Sequence, residues 1–403
     1  MTGLGGMIHR DWVVGFDAFG VLHVGHFNAV LGAPMRFDET GVRRQDWDEP
    51  TDFGRVVGEL AVHLRDDLFS ARIGTISGLT LGTGAAVQGF RSTLDPDHWR
   101  TGATVALHTG CAGGDAFLDS VIAPALAGAR VYVRPLYPLS PGGLWGRLEF
   151  GGTFAGDWSA PYRFRRDRDH ARITLSSSGL PEAETQGVWA AVGDMRWPVV
   201  KTADVEVAPR ASYVSLRGAS GLHAGLDLWA RPARRIRFGL AGEWRRLWAG
   251  NMASYFDGLY AIDRFDLGGE PQARLLDRIL EDRQGMMVGM FFEWTEGLKI
   301  SSRLELDQDG RANAFAAEAT LEMGRVRAVS NLGMRGFETP ARFLRPDRFM
   351  FAACLEVRIL PVFWVLAAYG RDAAVRQSGE DQGLYLSSDS AFVGLRLGFG
   401  TGP

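Results

Sequence analysis

Cysteine is nearly missing from this chain. Cys111 and Cys354 stand alone in distant segments, which excludes a disulfide-stapled scaffold. Long apolar runs are also missing. The longest uncharged one, "ILPVFWVLAAYG" from Ile359 to Gly370, is broken by Pro361 and falls short of the ~20 residues a membrane helix needs. The N-terminal "MTGLGGMIHRDW" has no basic start followed by an apolar block; the expectation is that a leader has been removed. Charge of one sign is not in excess, with a net −3 and a pI near 6.3, so there is no basic footprint for nucleic acid. Helical periodicity is scarce, and "ARLLDRILEDR" (273–283) is its best instance. The glycines of "GLTLGTG" are followed by no phosphate-loop lysine and read as strand and turn residues.

Glycine and the large aromatics are abundant. There are 52 glycines in 403 residues, against an average of ~7%, with 12 Trp and 24 Phe. Apolar and polar residues alternate almost throughout, as in "GLHAGLDLWARPARRIRFGLAGEWRRLW" (221–248). There Leu222, Ala224, Leu226 and Leu228 share one parity, while His223, Asp227 and Trp229 share the other. After Pro232, Ile236, Phe238, Leu240 and Trp244 stand against Arg235, Arg237, Glu243 and Arg245. Period two is the signature of strands with two unlike faces.

Eighteen segments carry this signature: 11–20, 24–37, 54–64, 68–76, 102–110, 127–137, 145–156, 188–197, 204–216, 221–230, 235–246, 285–295, 298–306, 311–322, 325–334, 348–358, 362–370 and 389–399. Most are as long as a tilted membrane strand. The Asp309-Gly310 turn places Leu304 opposite Phe315 and Ile300 opposite Ala319. A turn at Met323-Gly324 pairs Leu321 with Val326. Setting Leu228 opposite Ile236 also sets Asp227 opposite Arg237, a cross-strand charge pair. Working back from the C-terminus, the long joins 371–388, 335–347, 247–284 and 157–187 fall in one alternate set, and the other set is tight. The segment 77–101 breaks this parity and reads as a loop folded into the interior or a misplaced strand pair.

Alternation alone does not say which face is inside. In a soluble sandwich the apolar face is buried; in a membrane barrel it meets lipid and the charged face lines the lumen. Strand length, loop asymmetry, and aromatics at strand ends (Trp244, Trp248, Trp294, Phe337, Tyr369, Phe399) favour the barrel, with those six as its interfacial girdle. No ~40-residue repeat suggests a propeller. The expected fold is all-β: a single domain over 1–403, a transmembrane antiparallel barrel of about 16–18 strands, with short periplasmic turns, longer extracellular loops and both termini periplasmic. "RRLWAGNMASYFDGLYAIDRF" and "TLGTGAAVQGFRSTLDPDHWRTG" resemble segments of uncharacterised Gram-negative outer-membrane barrels of myxobacterial type. That resemblance implies a bacterial outer-membrane location. The chain departs from the usual aromatic last residue, because "GTGP" follows Phe399.

The expected lumen side chains are Asp227, Arg235, Arg237, Glu305 and Glu356, with Arg303, Glu318, Glu322, Arg325 and Arg327 as the constriction. Their near-balanced charges also suit cross-strand ion pairs that fill or stiffen the barrel. Trp364 and Leu366, on the face of Glu356 and Cys354, form an apolar lumen patch that suggests a packed loop. "GDAFLDS" (114–120) and "DPDH" (95–98) read as solvated acidic turns rather than calcium loops, and His23 and His26 fall on opposite strand faces. No metal or cofactor is implied, nor a nucleic-acid partner. Three functions remain open: a porin-like passive channel for small hydrophilic solutes; a plugged structural or partner-binding barrel, contacting a protein or a second copy through its outer loops; and an outer-membrane lipid hydrolase, which needs Ser and His facing lipid.

Overall fold

The computed structural model describes residues 13–400 except 39–40, 65–67, 94–98, 167–172, 175–180, 266–270, 309–312, 338–347, 361–362 and 376–384. Nineteen strands close into one barrel. They are β1 (Val13–Val24), β2 (Phe27–Asp38), β3 (Val57–Leu64), β4 (Phe69–Gly74), β5 (Gly102–His108), β6 (Ala112–Leu118), β7 (Leu126–Val133), β8 (Glu149–Phe164), β9 (Ala183–Arg196), β10 (Val205–Leu216), β11 (Ala219–Ala233), β12 (Ile236–Leu247), β13 (Arg283–Trp294), β14 (Leu298–Asp307), β15 (Ala314–Met323), β16 (Val326–Arg335), β17 (Arg348–Leu360), β18 (Phe363–Val375) and β19 (Tyr385–Gly400). Successive strands pair antiparallel, and β1 closes on β19 in parallel, with Val13 beside Phe392 and Val21 beside Gly400. An odd count requires that one parallel seam. It also places Val13 and Gly400 at opposite ends, so the expectation that both ends of the chain share one side does not hold.

All eighteen segments marked by alternation are strands. The nineteenth, β6, begins Ala112-Gly113-Gly114-Asp115, a composition that reads as a turn. In the barrel Asp115 instead faces Arg130 across the ladder. Restoring β6 also removes the parity break upstream. The joins 39–56, 75–101, 165–182, 248–282 and 336–347 then all fall at one end, the long-loop end. The tight joins 25–26, 109–111, 234–235, 295–297 and 324–325 fall at the other, the short-turn end, which also carries the longer join 134–148, while the tight 217–218 lies at the long-loop end.

Registers keep the expected faces but slip along them. Leu304 faces Phe315 and Ile300 faces Ala319, as expected. Met323, not Leu321, faces Val326, because Gly324 takes φ +58 and supplies the positive-φ first position of a two-residue hairpin turn. Leu228 faces Leu240 and Asp227 faces Ala241, so the Asp227–Arg237 pair does not form. Both slips are even, so no side chain changes face. The 273–283 segment gives a short helix (Gln272–Leu275) and a 3-10 turn (Leu276–Arg278). Both cysteines are free.

The core lies inside the barrel. It joins Phe117, Leu126, Val188, Val214 and Leu216 on the wall to Leu81, Val87, Phe90, Met252, Tyr255, Phe256 and Tyr260 from two long joins. Val87 and Phe256 are 0% exposed.

Candidate functional site in the lumen

The segments 75–101 and 248–282 enter from the long-loop end and pair with each other inside. Phe256 lies beside Val87 and Asp257 beside Gln88 in a short parallel ladder. The rings of Tyr255, Phe256 and Tyr260 pack at 5.0–5.6 Å, an aromatic cluster that fixes the second segment's shape. Ser254 N and Phe256 N donate to Ala85 O and Ala86 O, each at 3.0 Å.

Charged side chains of the inner wall hold this pair in place. Arg130 donates to Glu149 and Asp194, each at 2.8 Å. Gly82 passes so close to that group that a Cβ there would lie 2.6 Å from Arg130 Nε, and its φ is +58; only glycine fits both conditions. Arg210 contacts Asp227 at 3.2 Å and Glu243 at 3.1 Å while donating to Thr83 O at 2.5 Å. Arg245 bridges Glu243 (2.6 Å) and Glu305 (2.8 Å). Arg303 reaches Glu305 at 2.9 Å and donates to Gln88 O at 3.0 Å. Arg335 contacts Asp257 and, at 2.7 Å, Asp263. Tyr260 donates to Asp157 Oδ2 at 2.7 Å; burial, then the Asp157 charge, pushes its hydroxyl well above the usual tyrosine range, so it stays a donor. Desolvation offsets most of the attraction in such buried pairs. Their main effect is positional: each guanidinium accepts one seating of the inserted segments.

Beside these segments a cavity of about 610 Å³ remains. It follows the inner faces of β1–β4 and β15–β19, where Phe19, Trp364 and Leu366 supply apolar wall and Arg325, Arg327 and Arg396 supply charge. The apolar lumen patch read at Trp364 and Leu366 therefore borders open space rather than a packed loop.

The expected constriction group divides in two. Arg303 and Glu318 hold the 75–101 segment, Glu318 through Arg91. Glu322, Arg327 and Glu356 line the cavity, with Arg327 3.0 Å from Glu322 and 3.8 Å from Glu356; Arg325 stands exposed at its mouth. Asp227 pairs with Arg210 and Arg196. Arg237 meets Glu293 at the short-turn rim at 3.3 Å, and Arg235 pairs with Glu296 in the adjoining turn. Arg130, Glu149 and Asp194 were missed although their strand parity marks them as inward. Asp257 and Asp263 lie on a loop without periodicity and carry no such signal.

His223 Nδ1 lies 3.0 Å from Glu243 Oε1, and Ser212 is the cross-strand neighbour of His223. The three types suit a hydrolase, yet all three side chains are buried in the lumen, sealed from the lipid face where such a substrate would arrive. Among the described residues no group of three or more His, Cys, Asp or Glu is placed to hold a metal ion.

On the outer surface the parity is inverted relative to a soluble protein. Leu226 is 48% exposed while His223 is 1%. Leu222, Leu240, Met286, Val288, Leu355 and Leu395 are likewise exposed around the wall, whereas Arg130, Glu243, Arg245, Glu305 and Arg335 are buried within it. Soluble surfaces rarely carry contiguous apolar patches beyond a few hundred Å²; exposed apolar side chains around the wall match a lipid-facing surface about a polar lumen. The chain is a membrane-spanning β-barrel of the outer-membrane kind. Of the expected girdle, Trp244 and Tyr369 are exposed and Trp248 and Trp294 half-buried. Phe337 is a correction: it is 1% exposed, on a backbone whose carbonyl accepts from Asn313 Nδ2 at 2.7 Å. The side chain of Phe399 lies outside the described residues.

No family model and no curated protein sequence matches the barrel. Solved structures similar to it include a mutant of the ferric enterobactin receptor of Pseudomonas aeruginosa, with a TM-score of 0.36, 9% identity, and 92% of this chain and 68% of that one covered. OccK9 of Pseudomonas aeruginosa has a TM-score of 0.27 and 10% identity, covering 95% and 91%. OccAB2 of Acinetobacter baumannii has a TM-score of 0.27 and 10% identity, covering 92% and 87%. The class assignment rests on the barrel's own geometry.

Proposed function

We propose that the barrel is a narrow passive channel for small hydrophilic solutes across the bacterial outer membrane, with the long-loop end outward. The observation that carries this reading is the cavity of about 610 Å³ beside the inserted segments. Its charged lining suits a hydrated solute, and arginines outnumber carboxylates among its lining residues by seven to four, which favours anions. A barrel of this strand number is wide enough for an aqueous route when loops do not fill it. Here the inserted segments narrow that route to one side.

A second reading is a plugged barrel whose work is structural or partner-binding. It draws on the complete burial of Val87 and Phe256 and on the ion pairs that seat their segments. Planar-bilayer conductance separates the two. A barrel whose fold is verified by a heat-sensitive gel shift should give stable stepwise currents with anion preference. A verified but silent barrel overturns the channel reading in favour of the plugged one.

A further inference from the structure

At the short-turn mouth of the cavity a row of side chains runs from the turn before β16 across four strands. Arg358 N donates to Arg325 O at 2.8 Å, which sets Arg325, in the turn before β16, beside Arg358 on β17. Arg358 faces Trp364, Trp364 faces Arg396, and Arg396 faces Asp17. All five residues line the cavity.

Their charges are not equally matched. Arg396 is neutralised by Asp17 and Glu356, each at 2.9 Å. Arg327, one rung deeper, is held by Glu322 at 3.0 Å. Arg325 and Arg358 have no carboxylate partner among the described residues. Like charges directly opposed on neighbouring strands are destabilising. Elsewhere on the inner wall Arg130, Arg210, Arg245, Arg303 and Arg335 each meet carboxylates. At the mouth two adjacent guanidinium groups border the cavity with no counter-charge among the described residues. Beside them the wall turns apolar: the rings of Phe19 and Trp364 lie 5.7 Å apart, with Leu366 one rung deeper.

We propose that this mouth binds a small organic anion, with its carboxylate or phosphate held by Arg325 and Arg358 and its apolar body laid against Trp364 and Phe19. Planar guanidinium donors suit both head groups, because each presents paired oxygens to paired N–H groups. The inference rests on the channel reading only in taking the cavity as open to solute; it does not require transport.

Isothermal titration of the folded barrel, in a maltoside detergent free of phosphate, tests it with hexanoate, hexyl phosphate and inorganic phosphate as probes. Both hexyl anions should bind saturably, and R325Q/R358Q should weaken both at least tenfold. W364A should weaken the two hexyl anions severalfold and leave inorganic phosphate unchanged. Equal binding by the wild type and the double variant overturns the proposal, as does the absence of saturable binding to a barrel that passes the heat-shift check. Binding that survives W364A unchanged but is lost with both arginines removes the apolar-body half and so overturns the proposal as stated. A barrel that binds hexanoate yet carries no current leaves this site standing while the channel reading falls. Current without anion binding gives the converse.

Discussion

Phe256 and Val87 lie side by side in a parallel ladder, fully buried, although they belong to different long joins of the barrel. Neither join is packed without the other, so the lumen contents behave as one unit. Val87→Asp places an unpaired carboxylate where no water reaches. The expected result is release of both segments with the wall intact: larger single-channel conductance and new protease cleavage within 75–101 and 248–282. An unchanged conductance alongside normal heat-shift behaviour would contradict the paired insertion.

Arg335 stands between Asp257 and Asp263. Removing the cation alone, by Arg335→Met, takes a shared guanidinium from two buried carboxylates and leaves Asp257 its longer contact to Arg303 at 3.6 Å, a loss of about 3–5 kcal/mol. The urea midpoint should fall, and adding Asp257→Asn and Asp263→Asn should recover most of the loss. Failure of that rescue would show that Arg335 acts through packing instead.

Leu226 and Asp227 are sequence neighbours on opposite faces. Leu226→Arg should lower folding stability in lipid by about 2–4 kcal/mol near mid-depth, whereas the same change on a water-exposed strand would be nearly neutral. Folding titrations in vesicles give the measurement; a neutral result would put the apolar face in water.

Tyr260 donates to Asp157 from a segment inside the lumen, and burial raises its hydroxyl above the unfolded value of ~10. A raised value in the folded state contributes stability that is complete below the unfolded value and is lost as the pH climbs beyond it. Between pH 7 and 9.5 the inserted segments should therefore resist protease equally, and resistance should decline above about pH 10. Tyr260→Phe should flatten that decline; an unaltered pH profile would assign it to another group.

Leu226, His223, Glu243 and Arg245 show what was legible before any tertiary information. Their alternation gave each residue its face, and two-residue periodicity is indifferent to register, which is why the pairings around Leu228 and Val326 slipped without moving a side chain from one face to the other. Ala112–Leu118 was not legible as a strand, because Gly113, Gly114 and Asp115 favour turns locally and only neighbours on both sides hold them extended. The mouth arginines are legible singly: parity groups Arg325 with Arg327, but the apposition of Arg325 to Arg358 depends on the turn at Gly324.

The sequence by itself determined an all-β chain with one apolar and one charged face, and lengths of strand suited to a membrane, since local sterics and a two-residue period act through near neighbours. Only the tertiary structure decided that nineteen strands close through a parallel seam, that two loops without periodicity meet at Val87 and Phe256, and that open space is left beside Arg325 and Arg358. Those outcomes depend on contacts between residues far apart in sequence, where burial and charge pairing select one arrangement among many that the local pattern allows equally.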